Sequence, residues 1–280
     1  MGVTFAMAIR LKFWGVRGSI ACPGPDTLRY GGNTPCVEVR CGEHVLILDG
    51  GTGLRPLGDA ILKTGAKLDA DLFLTHCHLD HVSGLPFFAP LFMNNHHLRI
   101  WAGNLPADVS VKKALRTMMS PPLFPIDVES FKAAIEYLDF HPGDTLEPRP
   151  GVILRTGMLN HPGGAIGYRI EYQGKVLAYL TDTELPQEAV NGATLALARD
   201  ADFLIFDCTY TDSEIASRRG WGHSTWKDGV RLANAAHAKT LCMFHHDPSH
   251  DDAFMDRLGG EAAAVRPGTI VAREGLTVEL

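Results

Sequence analysis

Three histidines and an aspartate stand within the six-residue segment 76–81, which reads HCHLDH. The segment follows directly on an apolar run that predicts a buried β-strand. Imidazole nitrogen and carboxylate oxygen are ligands that zinc, manganese and iron all accept. A strand that ends in such a loop can direct His76 and His78 at one metal ion. Asp80 and His81, after the turn, can then reach a second ion beside it.

Further aspartates and histidines follow other apolar runs along the chain. They are Asp49, His161, Asp182, Asp207 and His245, and each comes just after the end of a predicted strand. Taken alone, each would ordinarily be a turn or surface residue. Strands that converge on one edge place such residues around a single cleft, where rigid elements position them and the loops carry the chemistry. Together they therefore predict one shared site.

Short apolar runs alternate with Gly/Pro turns and with a few helical patterns along the whole chain. The predicted strands are 9–14, 36–40, 44–48, 71–75, 98–101, 152–158, 165–172, 175–180, 202–206, 240–244 and 269–279. The predicted helices are 53–64, 108–119, 129–138, 187–199, 225–238 and 250–258. Ser224 and Ser249 are predicted to cap the last two helices. No linker divides the chain, so we expect a single domain over residues 1–280.

Composition limits the possible functions. Hydrophobic residues make up 45% and charged residues 21% of the 280 residues, as in ordinary soluble globular proteins. The net charge of −6 argues against a broad nucleic-acid-binding surface, which normally needs a basic stripe. The six cysteines form no CxxC pair, and those inside apolar runs, such as Cys208 and Cys242, are expected to be buried and reduced, whereas Cys22 and Cys36 flank a Gly/Pro-rich loop near the predicted site. No apolar run has the length of a membrane span and no signal peptide is present, so we expect a cytoplasmic protein, with Met7 as an alternative start.

The order and spacing of these residues resemble the metallo-β-lactamase superfamily, and the resemblance covers nearly the whole chain. It implies an α/β fold, a four-layer αββα sandwich, with two divalent metal ions, for which zinc is expected first and manganese or iron are alternatives. The implied ligands are His76, His78 and His161 for one metal, Asp80, His81 and His245 for the other, and Asp182 for both. We prefer His245 to the adjacent His246 because it follows its strand immediately. Asp49 would support the site from behind.

A second pair of motifs resembles the ribonuclease Z branch of this superfamily. Segment 206–209 reads Phe-Asp-Cys-Thr and keeps the acid and the threonine of a His-Glu-Ala-Thr-like motif, and segment 223–225 is a complete His-Ser-Thr motif. In that branch the acid orients the histidine. Attack on a phosphodiester by a hydroxide that bridges the metals expels an alkoxide, which leaves poorly unless it is protonated. An imidazolium held by a carboxylate can supply that proton. The resemblance therefore predicts His223, Asp207 and Asp80 as catalytic residues.

Two glycine-rich segments, 13–19 and 30–34, also resemble the phosphodiesterases of this branch. They make Arg17 and Asn33 candidates for substrate binding, because a guanidinium matches phosphate oxygens. The sequence has no counterpart of the long basic arm with which ribonuclease Z grips transfer RNA. We therefore expect a small phosphodiester such as a cyclic nucleotide as the partner, rather than nucleic acid or a membrane. The resemblance also implies a homodimer.

Two alternative functions stay open at this point. The first is the processing of RNA 3′ ends, as by ribonuclease Z. The second is hydrolysis of a carbon ester, a thioester or a lactone on the same fold, with His223 in a structural role.

Overall fold

The computed structural model of the protein describes residues 8–187, 190 and 192–280. The alternative start at Met7 lies outside these residues, as do positions 188, 189 and 191 of the predicted helix 187–199. None of the helices in this part of the chain is both long and apolar enough to cross a membrane.

The described strands and helices agree with most of the predicted ones to within a few residues. The strands are β1 (Ile9–Gly15), β2 (Cys36–Cys41), β3 (His44–Leu48), β4 (Asp69–Phe73), β5 (His97–Ala102), β6 (Ala134–Asp139), β7 (Thr145–Arg149), β8 (Val152–Leu159), β9 (Ala165–Tyr172), β10 (Lys175–Leu180), β11 (Phe203–Asp207), β12 (Thr240–Phe244), β13 (Ile270–Val271) and β14 (Thr277–Glu279). The α-helices are α1 (Leu54–Thr64), α2 (Leu79–Val82), α3 (Val111–Met118), α4 (Gly192–Ala198), α5 (Asp212–Ile215), α6 (Trp226–Ala235) and α7 (Asp252–Val265).

The strands form two mixed sheets with the same arrangement. The first has the order β14-β1-β2-β3-β4-β5-β6 and the second the order β7-β8-β9-β10-β11-β12-β13. In each sheet the first four strands pair antiparallel and the remaining strands continue from the fourth in parallel. Parallel neighbours end at the same edge, so the loops after β3, β4, β10, β11 and β12 leave their sheets at carboxyl edges, where ligands usually bind.

The two sheets face each other across an apolar core that includes Phe13, Val39, Leu154, Tyr168 and Phe244. Helices α1 and α3 cover the outer face of the first sheet, where their apolar residues form a second core with β3, β4 and β5. Helices α4, α6 and α7 cover the outer face of the second sheet in the same way. Burial on both faces explains the nearly continuous apolar runs of β11 and β12. The predicted αββα sandwich is confirmed.

Two predicted elements were wrong and one strand was missed. Residues 129–138, predicted as a helix, contain most of β6, which pairs in parallel with β5 at the edge of the first sheet. Cross-strand pairing there outweighs the helix propensity of the segment. Strand β7 was missed because it contains Pro148, which an edge strand tolerates next to an irregularity in pairing. The predicted strand 269–279 is two short strands that join different sheets.

Two helix caps lie a little later than predicted. The N-cap of α6 is Thr225 instead of Ser224, and its side chain accepts a hydrogen bond from the Asp228 amide. The N-cap of α7 is Asp251 instead of Ser249. Ser224 instead donates its hydroxyl proton to the Thr183 carbonyl at 2.6 Å, which joins the start of α6 to the loop after β10.

Candidate metal centre and catalytic dyad

Three residues of the predicted site turn the chain sharply at the ends of their strands. Asp49 follows β3, Asp182 follows β10 and His245 follows β12, with φ angles of 62°, 56° and 62°. Residues other than glycine adopt this left-handed region uncommonly, although aspartate and histidine tolerate it better than most. Such conformations gather at functional sites, where the surrounding structure holds them in place. The backbone itself therefore marks this edge of the sandwich.

A first group of ligand atoms comes from His76, His78 and His161, which lie within 4.8 Å of one another. The Nε2 atom of His161 lies 3.2 Å from Nδ1 of His78. The Nε2 atoms of His76 and His161 each lie 3.9 Å from Oδ1 of Asp182. The loops after β4 and β8 thus bring three imidazoles from two sheets together in front of one carboxylate.

A second group surrounds the same carboxylate from the other side. Asp182 Oδ2 lies 3.3 Å from Nε2 of His81, and Asp182 Oδ1 lies 3.3 Å from Nε2 of His245. Asp80 Oδ2 lies 3.3 Å from the first of these nitrogens and 3.4 Å from the second. Asp182 therefore faces both groups, as a bridging ligand would.

The adjacent His246 does not take part in either group. Its Nε2 pairs with the Ala272 carbonyl oxygen at 2.8 Å, and the residue is fully buried behind the strand ends. Between the two candidates that the sequence offered, it is His245 whose imidazole reaches the cluster.

A layer of hydrogen bonds orients the imidazoles. Asp49 Oδ2 lies 2.9 Å from Nδ1 of His81, and the Asp49 carboxylate also accepts hydrogen bonds from the Thr75 amide and from the Tyr179 hydroxyl, both at 2.8 Å. The Gly222 carbonyl lies 3.0 Å from Nδ1 of His161. Partners of this kind fix the tautomer of a ligating histidine and the direction of its free nitrogen.

The free nitrogens show that the cluster fits a cation. The Nε2 atoms of His76, His81 and His245 are buried and have no hydrogen-bond partner among the described residues. Buried polar atoms are rarely left in this state. The lone pair of an unprotonated imidazole nitrogen binds divalent cations. A metal ion between the imidazoles and the carboxylates would therefore give all three nitrogens a partner.

Charge in the cluster is unevenly divided. Burial lowers the pKa of His76 well below its usual value, and the neighbouring His81 adds to this effect, so His76 is neutral, as a metal ligand must be. Burial also opposes the charged form of His81, but Asp182, Asp80 and Asp49 together raise its pKa. Burial opposes the Asp182 carboxylate, yet His245 and His81 hold its pKa well below its usual value. The cluster thus retains ionised carboxylates in a buried place.

The predicted dyad lies against this cluster. Nδ1 of His223 lies 2.8 Å from Oδ2 of Asp207. The His223 ring centre lies 5.2 Å from that of His161 and 4.9 Å from that of His245. Burial alone would lower the pKa of His223, but Asp207, together with Asp182 and Asp80, raises the pKa to about 9. The Asp207 carboxylate therefore favours the protonated form of the imidazole.

The two predicted substrate-binding residues lie outside the cluster. Arg17 is fully buried, and it donates hydrogen bonds to the Gly31 carbonyl at 2.8 Å and to the His250 carbonyl at 2.6 Å. This correction follows from burial: Arg17 ties loops together behind the site and is not exposed to a substrate. Asn33 is half-buried and pairs with Glu274 through both its amide groups.

Apart from Asp49, sequence reasoning did not find the residues that support the ligands. Thr75 stands directly before His76, and Thr209 ends the segment 206–209 that contains Asp207. Their positions could therefore have indicated a supporting role. Tyr179 lies inside the apolar run of β10 and gives no such signal. Its role depends on packing between the two sheets, which the sequence does not display.

Comparison with known proteins identifies the family. The model of the Beta-lactamase superfamily domain matches residues 46–246 of the chain, from β3 to the residue after His245. The chain belongs to the metallo-β-lactamase superfamily. Within it, the chain belongs to the branch related to ribonuclease Z and is a hydrolase of this fold. The fold implies divalent metals.

Three similar proteins span nearly the full chain. Ribonuclease Z of Haloarcula marismortui is 23% identical over 316 aligned residues, which cover 96% of this chain and 95% of that protein. The metallo-β-lactamase fold protein YhfI of Bacillus subtilis superposes with a TM-score of 0.72 at 19% identity, over 98% of this chain and all (100%) of that one. A diphosphatase of the PhnP family gives a TM-score of 0.69 at 20% identity, over 97% and 98% of the two chains. Both likenesses to solved structures concern the fold.

Proposed function

We propose that this hydrolase is a dinuclear metal-dependent phosphodiesterase that cleaves a small phosphodiester, such as a cyclic nucleotide. The observation that carries the proposal is the His223–Asp207 pair beside the ligand cluster. Hydrolysis of a strained or activated carbonyl compound does not require a proton donor at this place, whereas expulsion of an alkoxide from phosphorus does.

The ligand groups would hold one cation among His76, His78, His161 and Asp182 and a second among Asp80, His81, His245 and Asp182. Zinc is the first candidate, because imidazole and carboxylate suit it, and manganese or iron would also fit. When bound, the cations would supply an activated water and neutralise charge on the phosphoryl oxygens. Metal analysis of the purified protein tests this part, with two ions per chain expected.

The residues of the chain have separable tasks. Asp207 accepts a hydrogen bond from Nδ1–H of His223, which favours the protonated imidazole and fixes the direction of its ring. His223 donates its Nε2 proton to the departing oxygen. Buried Asp49 and Thr209 hold the rings of His81 and His245 in place from behind. The exposed edge of His78 leaves the site open to a small substrate.

Substitution of His223 tests the proposal. His223→Ala should slow hydrolysis of an alkyl diester such as 2′,3′-cyclic AMP about 100-fold or more, within the range usual for general acids. Bis(p-nitrophenyl) phosphate should lose far less, because nitrophenolate leaves without a proton. The measurement is kcat for both substrates at equal metal content. Equal losses on both would refute the acid role, and activity on a lactone but on neither diester would favour a carbon-ester hydrolase.

A second function has a specific observation in its favour. A relative that covers 96% of this chain is a ribonuclease Z, so processing of RNA 3′ ends is a second candidate function. Phosphate contacts along an RNA would make binding weaken steeply with salt. Retention of a precursor transfer RNA at low salt, with cleavage at its 3′ end, would favour this alternative over the small phosphodiester.

A further inference from the structure

Arg218 lies next to the dyad without belonging to it. Its guanidinium carbon lies 4.8 Å from the ring centre of Tyr210. The Tyr210 ring meets the His223 imidazole edge to face, with ring centres 5.8 Å apart. A single aromatic ring therefore separates the guanidinium from the imidazole that faces the ligand cluster.

The charge of Arg218 has no near counter-charge. Among residues 8–187, 190 and 192–280, no carboxylate oxygen lies within 4.0 Å of its side-chain nitrogens, whereas the neighbouring Arg219 has Glu184 at 3.6 Å. The side chain is half-buried and lies on an aromatic face. A guanidinium placed in this way keeps its N–H donors for a ligand and loses little freedom on binding one.

The loop that carries Arg218 is fixed to the site. The Arg218 amide donates to the Ile215 carbonyl at 3.0 Å, and its own carbonyl accepts from the Trp221 amide at 3.1 Å. The next residue, Gly222, contacts the His161 ring through its carbonyl. Glu184 accepts a hydrogen bond from the Gly222 amide at 3.3 Å, which ties this loop to the one that follows Asp182.

We propose that Arg218 binds an anionic group on the leaving-alcohol side of the substrate. The enzyme would then prefer phosphodiesters whose leaving alcohol is itself phosphorylated, such as a nucleoside phosphate. This inference rests on the proposed function, because His223 defines the leaving-group side: His223 protonates the leaving oxygen, and Arg218 stacks on the Tyr210 ring that contacts His223. A planar guanidinium matches phosphate oxygens in pairs, which makes phosphate the fitting anion.

Two inhibitors that differ by one phosphate test the proposal. Adenosine 3′-monophosphate and adenosine 3′,5′-bisphosphate share the phosphate on the leaving oxygen, and only the second carries the extra anion. Their inhibition constants are measured against bis(p-nitrophenyl) phosphate. The wild type should bind the bisphosphate about tenfold more tightly, as one charge-assisted hydrogen-bonding contact implies. In Arg218→Gln this ratio should fall towards one, and Arg218→Lys should keep part of it.

Arg257 offers a matched control, because its guanidinium lies 4.6 Å from the ring centre of Phe254 in a comparable stack. Arg257→Gln should leave the ratio and the basal activity unchanged. The proposal is overturned if Arg218→Gln keeps the wild-type ratio, or weakens both inhibitors equally, since the arginine would then only support the dyad. A wild type that does not hydrolyse the reporter would instead contradict the proposed phosphodiesterase function itself.

Discussion

Thr209 links the dyad to the ligand cluster through its hydroxyl group. Its hydroxyl oxygen lies 2.7 Å from Oδ1 of Asp207 and 3.0 Å from Nδ1 of His245. A hydroxyl has one proton to donate and two lone pairs to accept with. When that proton goes to the carboxylate, the oxygen accepts from Nδ1–H of His245. The unprotonated Nε2 of His245 is then the one that faces Asp182 and Asp80.

Removing this hydroxyl should weaken metal binding. Thr209→Val keeps the shape of the side chain but leaves the His245 tautomer undetermined. Loss of such a supporting hydrogen bond typically costs about 10-fold to 100-fold in metal affinity or activity. Titration of the metal-free protein with zinc measures the effect, and Thr209→Ser, which keeps the hydroxyl, is the control. Unchanged affinity in Thr209→Val would show that the contact does not orient the ligand.

For single residues, the sequence predicted which side chains could do chemistry better than it predicted where those side chains lie. The residues of segment 76–81, with Asp182 and His245, were recognisable because ligand types recur after apolar strands. The wrong prediction was Arg17. An arginine in a glycine-rich loop looks exposed in a sequence, but here carbonyls from distant parts of the chain surround it. Contacts over such separations cannot be derived from local pattern.

Among the strands, Asp49 connects the two sheets at the edge that carries the site. It follows β3 of the first sheet, and Tyr179 of β10 in the second sheet donates a hydrogen bond to its carboxylate at 2.8 Å. Both residues are fully buried. Burial raises the pKa of Tyr179 well above its usual value, and Asp49 adds to this effect, so the phenol keeps its proton and remains a donor.

Loss of this one hydrogen bond should lower stability measurably. Tyr179→Phe removes the donor and leaves the buried carboxylate with fewer partners, for which about 1.5–3 kcal/mol is the usual cost when one group is charged. Urea unfolding of the metal-loaded protein gives the change in free energy. Tyr172→Phe is the matched control, because among the described residues the Tyr172 hydroxyl has a hydrogen bond only from the side chain of the exposed Gln173. Equal effects of the two substitutions would contradict the specific role of Tyr179.

Most strands and helices were predictable, because parallel strands that are buried on both faces have nearly continuous apolar sequences. Strand β6 was not, because residues 129–138 have no strong strand pattern and gain their conformation only by pairing with β5. The left-handed turns at Asp49, Asp182 and His245 were not predictable either. Asp49 and His245 accept hydrogen bonds from Thr75 and Thr209, which stand after other strands and are distant in the sequence.

In the molecule as a whole, the candidate ligands come from both sheets. The first sheet and its loops supply His76, His78, Asp80 and His81, whereas the second supplies His161, Asp182 and His245. A ligand that binds only the folded state stabilises it by mass action. The single domain over residues 1–280 and the homodimer remain predictions, and light scattering of the purified protein tests the latter.

Removal of metal should therefore destabilise the entire sandwich. After dialysis against a chelator, the unfolding free energy should fall by at least about 2.7 kcal/mol, the value for a ligand present at 100 times its dissociation constant. Differential scanning calorimetry with and without added zinc measures the change. His78→Ala serves as the control, because zinc should restore less stability to it. An identical transition with and without metal would indicate that the cluster does not hold ions that matter for folding.

The short turn 141–144 joins β6 of the first sheet to β7 of the second and is largely exposed. A protease that cleaves this turn would leave two fragments, neither of which carries a complete coordination sphere. The fragments would still share the central core and the strand β14, which the later fragment inserts into the earlier one's sheet. Bound cations would then bridge the two fragments. The cleaved protein should therefore stay associated in the presence of zinc and dissociate more readily in the presence of a chelator.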